Sequence, residues 1–159
     1  MNKFEKETYL EIAKKTSVFN SAEIEILEEV LTDCFDNPKT TYILFEEVNE
    51  VGAIHELPLL LGFAIFGRSP MTKFSWDIYW MVVDKESQRK GVGKKIQKRI
   101  ENYVLKQDKK ANLCIETSSK PEYAATRNFY KNTGFEEIGQ IPDFYKENDS
   151  LVIFHKSLR

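Results

Sequence analysis

A chain of 159 residues with 42% hydrophobic and 30% charged residues has the composition of one globular domain that can bury a core. Its formal net charge of −2 argues against nucleic acid as the main partner, because proteins that bind the phosphate backbone are usually basic. The two cysteines, Cys34 and Cys114, stand far apart in sequence and predict neither a disulfide framework nor a zinc site.

Neither a signal sequence nor a membrane span is visible in the sequence. The first residues lack an apolar segment, and no apolar run approaches the roughly 18 residues that cross a bilayer. We therefore expect a cytoplasmic protein that makes no membrane contact.

The N-terminal part of the chain is predicted to be helical. Residues 4–15 suit a first helix, and an apolar stripe from Ile24 to Leu31 predicts a second helix with Ser21 as its candidate cap. Pro38 and the polar residues before it break this pattern.

Three strands are predicted next. Residues 40–48, 59–67 and 76–83 are rich in aromatic, β-branched and other apolar side chains. The first two form an antiparallel hairpin around a loop at residues 49–58, and the run at 59–67 is apolar enough for a central strand.

A strand–helix–strand unit follows. Residues 84–90 are all polar and end the third strand, after which apolar residues recur at helical spacing from Val92 to Val104. A further strand at residues 109–118 completes a right-handed βαβ unit, so two strands are expected to be parallel.

The last part of the chain predicts a helix and a hairpin. Ser119, as a cap, begins a helix that ends at Gly134, a residue type common just after helix ends. Two antiparallel strands at 135–141 and 151–156 then close the sheet, with a turn-rich loop at 142–149 between them.

The turn before the long helix is predicted to capture an anion. Gly91 and Gly93 stand where the helix begins, and the first amides of a helix lack intrahelical acceptors and carry partial positive charge. Lysines at a helix N-terminus oppose the macrodipole, so a negative group is expected to offset them. Five side chains add donors around the same point: Gln88, Arg89, Lys90, Lys94 and Lys95. An ordinary strand–turn–helix with a solvated basic face is the alternative.

Two segments carry a resemblance to a known family. The segment from Gln88 to Gly93 is similar to the Q/R-x-x-G-x-G/A signature of the GCN5-related N-acetyltransferases (GNAT), and the segment from Phe129 to Phe135 resembles their F/L-Y-x-x-x-G-F motif. The likeness covers Leu59 to the C-terminus. Family members usually open with a short strand, for which this sequence has no candidate.

The resemblance implies an α/β fold. It is a single GNAT-like domain over residues 1–159, with a mixed, mostly antiparallel sheet, a central splayed pair of parallel strands, and about four flanking helices. Residues 1–38 would form a helical segment on the acceptor side, and residues 76–134 an acetyl-CoA-binding core.

The same resemblance implies which residues hold acetyl-CoA. The backbone of three strand residues would pair with the pantetheine arm, and the amides of the glycine turn would hold the pyrophosphate. Tyr123 stands where the family often has an asparagine, and Asn128 or Arg127 could replace that contact. The implied cofactor residues are Met81, Val82, Val83, Gln88, Arg89, Lys90, Gly91, Val92, Gly93, Lys94 and Asn128.

Three residues are candidates for catalysis. Tyr130 matches the family position that donates a proton to the departing thiolate, although it also suits a core position beside Phe129. Asp77 and Glu116 are carboxylates in strand-like contexts and could deprotonate an amine, or they could be solvated strand residues.

The sequence therefore predicts an N-acetyltransferase that moves acetyl from acetyl-CoA to a primary amine by direct attack, without a metal. A non-catalytic acyl-CoA-binding or sensing module on the same fold is the alternative. A P-loop nucleotide binder is disfavoured because the turn lacks that motif's spacing. A homodimer is common in the family and is a candidate assembly here, while the sequence leaves the oligomeric state open.

Overall fold

A computed structural model describes residues 4–49 and 58–159 of the chain. The predicted loop that contains His55 therefore lies almost entirely outside the described residues. The helices are α1 (Lys6–Lys15), α2 (Ser21–Asp36), α3 (Val92–Gln107) and α4 (Ala124–Asn132). The strands are β1 (Ile43–Val48), β2 (Leu60–Arg68), β3 (Ser75–Val83), β4 (Ala111–Ser118), β5 (Glu136–Lys146) and β6 (Asp149–Leu158).

The described strands form one six-stranded sheet in the order β1-β2-β3-β4-β6-β5. β1 pairs with β2, β4 with β6, and β5 with β6, all antiparallel. β3 and β4 are parallel, with residue pairs from Ser75–Asn112 to Asp77–Cys114. The predicted fold class, a mixed and mostly antiparallel sheet with one central parallel pair and four helices, is confirmed. The described residues 4–42 contain no strand, and the strand predicted at residues 40–48 is β1, which begins at Ile43.

The chain divides into two compact units. The first unit comprises residues 1–66 and 80–100. Tyr9 of α1 is fully buried at its centre, where its ring meets the edges of Phe4, Phe35 and Phe63. Its hydroxyl donates a hydrogen bond to the carboxylate of Glu46.

The start of α2 corrects one prediction. Asn20, not Ser21, is the cap: its side-chain oxygen accepts the Glu23 amide at 2.9 Å, and the Glu23 carboxylate accepts the Asn20 amide at 2.7 Å. This reciprocal capping box satisfies two amides at once. Ser21 is instead the first helical residue.

The second unit comprises residues 67–79 and 101–159. Asp108, just after α3, accepts hydrogen bonds from the Trp76 indole and the Arg68 guanidinium, both at 2.9 Å. Lys156 of β6 pairs with Glu101 of α3 at 2.6 Å, and the Glu101 side chain is only 9% exposed. These interactions join the strands of the unit to the second half of α3.

Two predictions in this unit are wrong. Ser119 does not cap a helix; its hydroxyl accepts the Ser150 amide at 2.8 Å, and a short 3-10 helix, Pro121–Tyr123, precedes α4. The predicted loop at 142–149 is mostly strand, because β5 continues to Lys146. The pairing with β6 slips between Ile141 and Lys146, so a bulge accommodates the intervening turn-forming residues without ending the strand.

Candidate functional site

The turn that follows β3 is fixed by backbone hydrogen bonds. The Asp84 amide donates to the Leu61 carbonyl of β2 at 2.9 Å, and the Asp84 carbonyl accepts the Ser87 amide at 2.8 Å. A short 3-10 helix, Lys85–Ser87, turns the chain away from the sheet, and the Asp84 carboxylate accepts the Glu86 amide at its start. The polar residues that ended the predicted strand therefore build an ordered turn.

The next residues lead directly into α3. Arg89 and Gly91 both adopt left-handed conformations, with φ of 60° and 84°. The Lys95 amide donates to the Gly91 carbonyl at 3.0 Å, and α3 begins at Val92, where the sequence predicted it. The first amides of α3 have no carbonyl one turn earlier in the helix. Gln88 to Gly91 are exposed, so this end of the helix is accessible to a ligand.

Gly91 is needed for its backbone conformation and not for lack of space. A Cβ atom there would meet no heavy atom within 4 Å. A side chain at φ of 84° would be strained, however, and it would stand at the open helix end. The Gln88 side-chain amide donates to the Val83 carbonyl at 3.3 Å, which holds the turn against the end of β3.

A further glycine, which the sequence pattern did not single out, sets how closely α3 approaches the sheet. A Cβ atom on Gly62 of β2 would lie 2.8 Å from the Val82 carbonyl oxygen, 3.1 Å from Ile96 and 3.2 Å from Val92. The first turns of α3 thus pack directly over Gly62. A glycine inside an apolar strand is the sequence signal for such a close approach.

Two basic residues of α3 share one carboxylate of β1. Lys95 and Arg99 both pair with Glu47 of β1, at 3.6 and 3.4 Å. Lys90 and Lys94 are exposed at the turn and the first helical residues. The carboxylate of Glu47 therefore supplies some of the negative charge that was expected near the lysines. The first turn of α3 itself contains no acidic residue.

The second unit brings the two candidate bases close to one thiol. Asp77 of β3 stands opposite Cys114 of β4, and Glu116 follows two positions along β4, on the same face of the strand. Burial raises the pKa of the Cys114 thiol, and the carboxylates of Asp77 and Glu116 add to this effect. Ser69 donates a hydrogen bond to Asp77 at 2.5 Å. Asp77 is half-buried, whereas Glu116 is exposed.

His155 continues, on β6, the cross-strand line of side chains that Asp77 and Cys114 form on β3 and β4. His155 of β6 stands opposite Cys114, and Glu136 of β5 stands opposite His155. The His155 ring nitrogen Nε2 is 3.0 Å from the Asn112 side-chain oxygen. His155 therefore belongs to a polar cross-strand row, which its isolated position in the sequence did not indicate.

Tyr130 lies inside an aromatic cluster of the second unit. Its ring meets Phe129, Phe135 and Phe154 at centroid distances of 5.5 to 5.8 Å, and only 5% of the residue is exposed. Burial raises the pKa of its phenol, so the group stays protonated at neutral pH. The packing of Tyr130 matches the core interpretation from the sequence, while its role as a proton donor stays a prediction. Asn128 lies exposed on the same helix.

A buried polar cluster at the end of β4 has no counterpart among the sequence predictions. Ser118 donates a hydrogen bond to Asp149, whose other carboxylate oxygen is 3.2 Å from the Lys120 ammonium. Burial alone would raise the pKa of Asp149, but these two partners hold it below its usual range. Arg127 donates to the carbonyls of Ser118 and Lys120, at 2.6 and 2.8 Å. These hydrogen bonds from Arg127 stabilise the connection from β4 to α4.

The described part of the chain offers neither a metal site nor a membrane-spanning helix. Within residues 4–49 and 58–159, no three His, Cys, Asp or Glu side chains come together as a metal-binding group. None of the helices in those ranges combines the length and apolar character of a membrane crossing.

Comparison with solved structures identifies the fold. A protein from Desulfovibrio desulfuricans assigned to the GNAT acetyltransferase family superposes with a TM-score of 0.83 at 23% identity, covering 94% of this chain and 90% of that one. The ribosomal-protein-S18-alanine N-acetyltransferase of Escherichia coli gives 0.72 at 17% identity, covering 99% and 90%. PaiA N-acetyltransferase from Thermoplasma acidophilum, in complex with coenzyme A, gives 0.67 at 14% identity, covering 98% and 94%.

Sequence comparison gives the family. Among curated proteins, no sequence matches the chain significantly. A family model for the acetyltransferase (GNAT) domain, however, matches residues 38–137, which include the turn, α3, β4 and α4. Because this match spans well over half of the chain, the protein belongs to the GNAT family of acetyltransferases.

Proposed function

We propose that the protein transfers acetyl from acetyl-CoA to a primary amine. The observation that carries this proposal is the exposed turn before α3, where Arg89 and Gly91 adopt left-handed conformations and lead directly into the first turn of the helix. A diphosphate suits this place, because unpaired amides, the helix dipole and the exposed Lys90 and Lys94 all favour negative charge. Solved relatives that contain coenzyme A, such as the Thermoplasma acidophilum enzyme, support this choice of ligand.

The remaining cofactor contacts follow from the same assignment. The diphosphate would bind along Gln88 to Lys94, with the backbone of Met81 to Val83 pairing with the pantetheine arm and Asn128 as a further contact. Gly62 would serve indirectly, since it leaves room for the first turns of α3 to pack on β2 beside the Val82 carbonyl. Acetyl-CoA itself would be a co-substrate, and no metal is invoked.

Acetyl transfer requires a base that removes a proton from the ammonium form of the acceptor. Asp77 is the preferred candidate, because its hydrogen bond from Ser69 orients the carboxylate and because it is half-buried. Glu116, exposed two positions after Cys114, is the other candidate. The free amine would attack the thioester carbon and form the new C–N bond, and the C–S bond would break. The second proton lost from nitrogen would pass to the departing thiolate, so coenzyme A would leave as the free thiol.

Tyr130 would then act on the departing thiolate. Because burial raises the pKa of its phenol above that of a thiol, complete proton transfer from Tyr130 to sulfur would be uphill. A hydrogen bond from the phenol to the thiolate is the less costly contribution, and it would stabilise the developing negative charge.

Thiol release from acetyl-CoA over a broad panel of primary amines tests the proposal. We expect release that depends on the amine, with the acetylated product detected by mass spectrometry. Binding of coenzyme A without release on any amine would instead establish the non-catalytic binding module. Failure to bind coenzyme A at all would overturn both assignments.

Two further expectations accompany the proposal. The protein is expected to act in the cytoplasm, on a small amine, an amino acid, an antibiotic or a protein amine. A homodimer is a candidate assembly as well.

A further inference from the structure

The ammonium group of Lys156 joins three segments of the second unit. Lys156 lies on β6, and its nitrogen Nζ is 2.6 Å from a carboxylate oxygen of Glu101 on α3. The same nitrogen donates a hydrogen bond to the carbonyl of Thr133, at the C-terminal end of α4, at 2.8 Å. Because both charged side chains are mostly buried, salt screens their ion pair little. The carbonyl dipoles that end a helix also favour a cation at this place.

Gly134 makes the close approach of Lys156 possible. Gly134 follows α4 with a φ of 92°, and a Cβ atom there would lie 3.3 Å from both Cε and Nζ of Lys156. A side chain at this position would therefore press against the end of the lysine as well as strain the backbone. The glycine that ends the helix thus also admits the ammonium group to the turn.

The turn that Lys156 contacts determines the packing of Tyr130. The amides of Thr133 and Phe135 donate hydrogen bonds to the Tyr130 carbonyl, at 3.1 and 3.0 Å. The Tyr130 ring contacts Phe135 of this turn and Phe154 of β6, at centroid distances of 5.6 and 5.8 Å. Among the described residues, none forms a hydrogen bond with the Tyr130 hydroxyl, so the packing of the ring sets the direction of the phenol.

We propose that Lys156, together with Glu101, is a positioning residue that fixes the direction of the Tyr130 phenol. The pair holds the turn after α4, the turn places Phe135, and the rings of Phe135 and Phe154 hold Tyr130 between them. The inference rests on the proposed function, because the phenol affects turnover only if it contacts the departing thiolate. Small displacements of a group that contacts the reacting atoms lower the rate steeply, so the pair affects turnover without touching either substrate.

Two variants separate positioning from stability. Lys156→Met removes the ammonium but leaves the Glu101 carboxylate in a buried site without it, which destabilises the fold. The double variant Glu101→Met with Lys156→Met removes both charges, and apolar replacement of a buried pair often preserves stability. Both variants lose the hydrogen bond to the end of α4. Lys131→Met is the matched control, because Lys131 also lies in the last turn of α4 but forms its ion pair, with Glu137, at the surface.

Fluorine NMR of protein labelled with 3-fluorotyrosine reports on Tyr130 independently of activity. Tyr130→Phe identifies its resonance among those of the seven tyrosines. We expect the double variant to shift or broaden this resonance and Lys131→Met to leave it unchanged. Circular dichroism and thermal unfolding verify that each variant is folded. A resonance that neither Lys156 variant moves, or that the control moves equally, would overturn the inference whether or not the protein transfers acetyl groups.

Steady-state kinetics and titration with coenzyme A test the effect on the reaction. We expect the double variant to lower kcat about 3- to 30-fold and to change the dissociation constant of coenzyme A less than about twofold. In a Tyr130→Phe background the same two substitutions should lower kcat no further, because they act through the phenol.

The outcomes distinguish this inference from the proposed function. A decrease in kcat that persists in full in the Tyr130→Phe background, or an unchanged kcat, would overturn the inference and leave the proposed function standing. Absence of thiol release from the unmodified protein on every amine would overturn the proposed function. The fluorine resonance would in that case still decide whether Lys156 fixes Tyr130.

Discussion

The two units carry chemistry in different ways. In the first, the proposed anion site is made of backbone: the left-handed residues Arg89 and Gly91 and the first residues of α3. In the second, the candidate groups are side chains that strand register brings together, such as Asp77 opposite Cys114. A backbone site depends on few side chains and can be recognised in the sequence from a short motif. A side-chain site depends on pairings between distant segments of the chain. Substitutions in the two units should therefore separate cofactor binding from turnover.

Asp77→Asn should have the largest effect, and it should fall on turnover. Asparagine keeps the shape and can still accept the hydrogen bond from Ser69, but it cannot take a proton from an ammonium group. Loss of a general base lowers rates about 10²- to 10⁴-fold, so we expect kcat to fall by this order while coenzyme A affinity changes little. Steady-state kinetics and calorimetry measure the two quantities.

Glu116→Gln is the matched control for this variant, because both carboxylates neighbour Cys114. We expect it to lower kcat much less. The reverse order would move the role of base to Glu116, and two near-normal variants would remove both carboxylates from the reaction.

Gly91→Glu should weaken coenzyme A binding about 10- to 100-fold. The new side chain must adopt a left-handed conformation, which costs roughly 1–2 kcal/mol, and its carboxylate would repel the diphosphate. Titration of coenzyme A followed by calorimetry measures the change. Gly91→Ala separates the two causes, since it introduces the conformational cost without the charge and should lose less affinity. Unchanged binding by Gly91→Glu would show that the diphosphate does not bind at this turn.

Gly62→Ala should reduce both stability and coenzyme A affinity. The added methyl would overlap the Val82 carbonyl and press on Val92 and Ile96. Overpacking of this kind costs about 1–3 kcal/mol, which corresponds to a melting temperature lower by roughly 2–12 °C for a domain of this size. Gly139→Ala is the control, because a Cβ there would meet only Ile153, at 3.9 Å. Equal stability of the two variants would contradict a special role for Gly62.

Sequence-based prediction succeeded for features that local patterns determine and failed for features that depend on contacts between distant segments. The strands, α3 and its start at Val92 were predictable because apolar periodicity and glycine position are local signals. The role of Gly62 was not, since it depends on α3 lying against β2. The row from Asp77 through Cys114 to His155 depends in the same way on register across three strands.

Local sequence signals also gave wrong predictions where a second signal pointed to a different structure. Ser21 and Asn20 are both good caps, and only the reciprocal bonds with Glu23 decide between them. Pro142 and Asp143 are turn formers, and the sequence predicted a loop for this reason. A bulge accommodates them within β5, because pairing with β6 resumes at Lys146 opposite Asp149.

Asp149→Asn should have the smallest effect, and the effect should depend on pH. The Ser118 hydroxyl and the Lys120 ammonium hold the pKa of Asp149 below its usual value, in spite of burial. The carboxylate therefore stabilises the folded state at pH values above its unfolded pKa of about 3.9, and this contribution is lost as the pH falls through the folded pKa. We expect the variant to be less stable than the unmodified protein at pH 7 and the difference to narrow under acid conditions. Urea unfolding at several pH values, with Glu147→Gln in the exposed β5–β6 turn as the control, measures this difference. A gap that stays constant or widens on acidification would mean that the ionised carboxylate of Asp149 does not stabilise the end of β4.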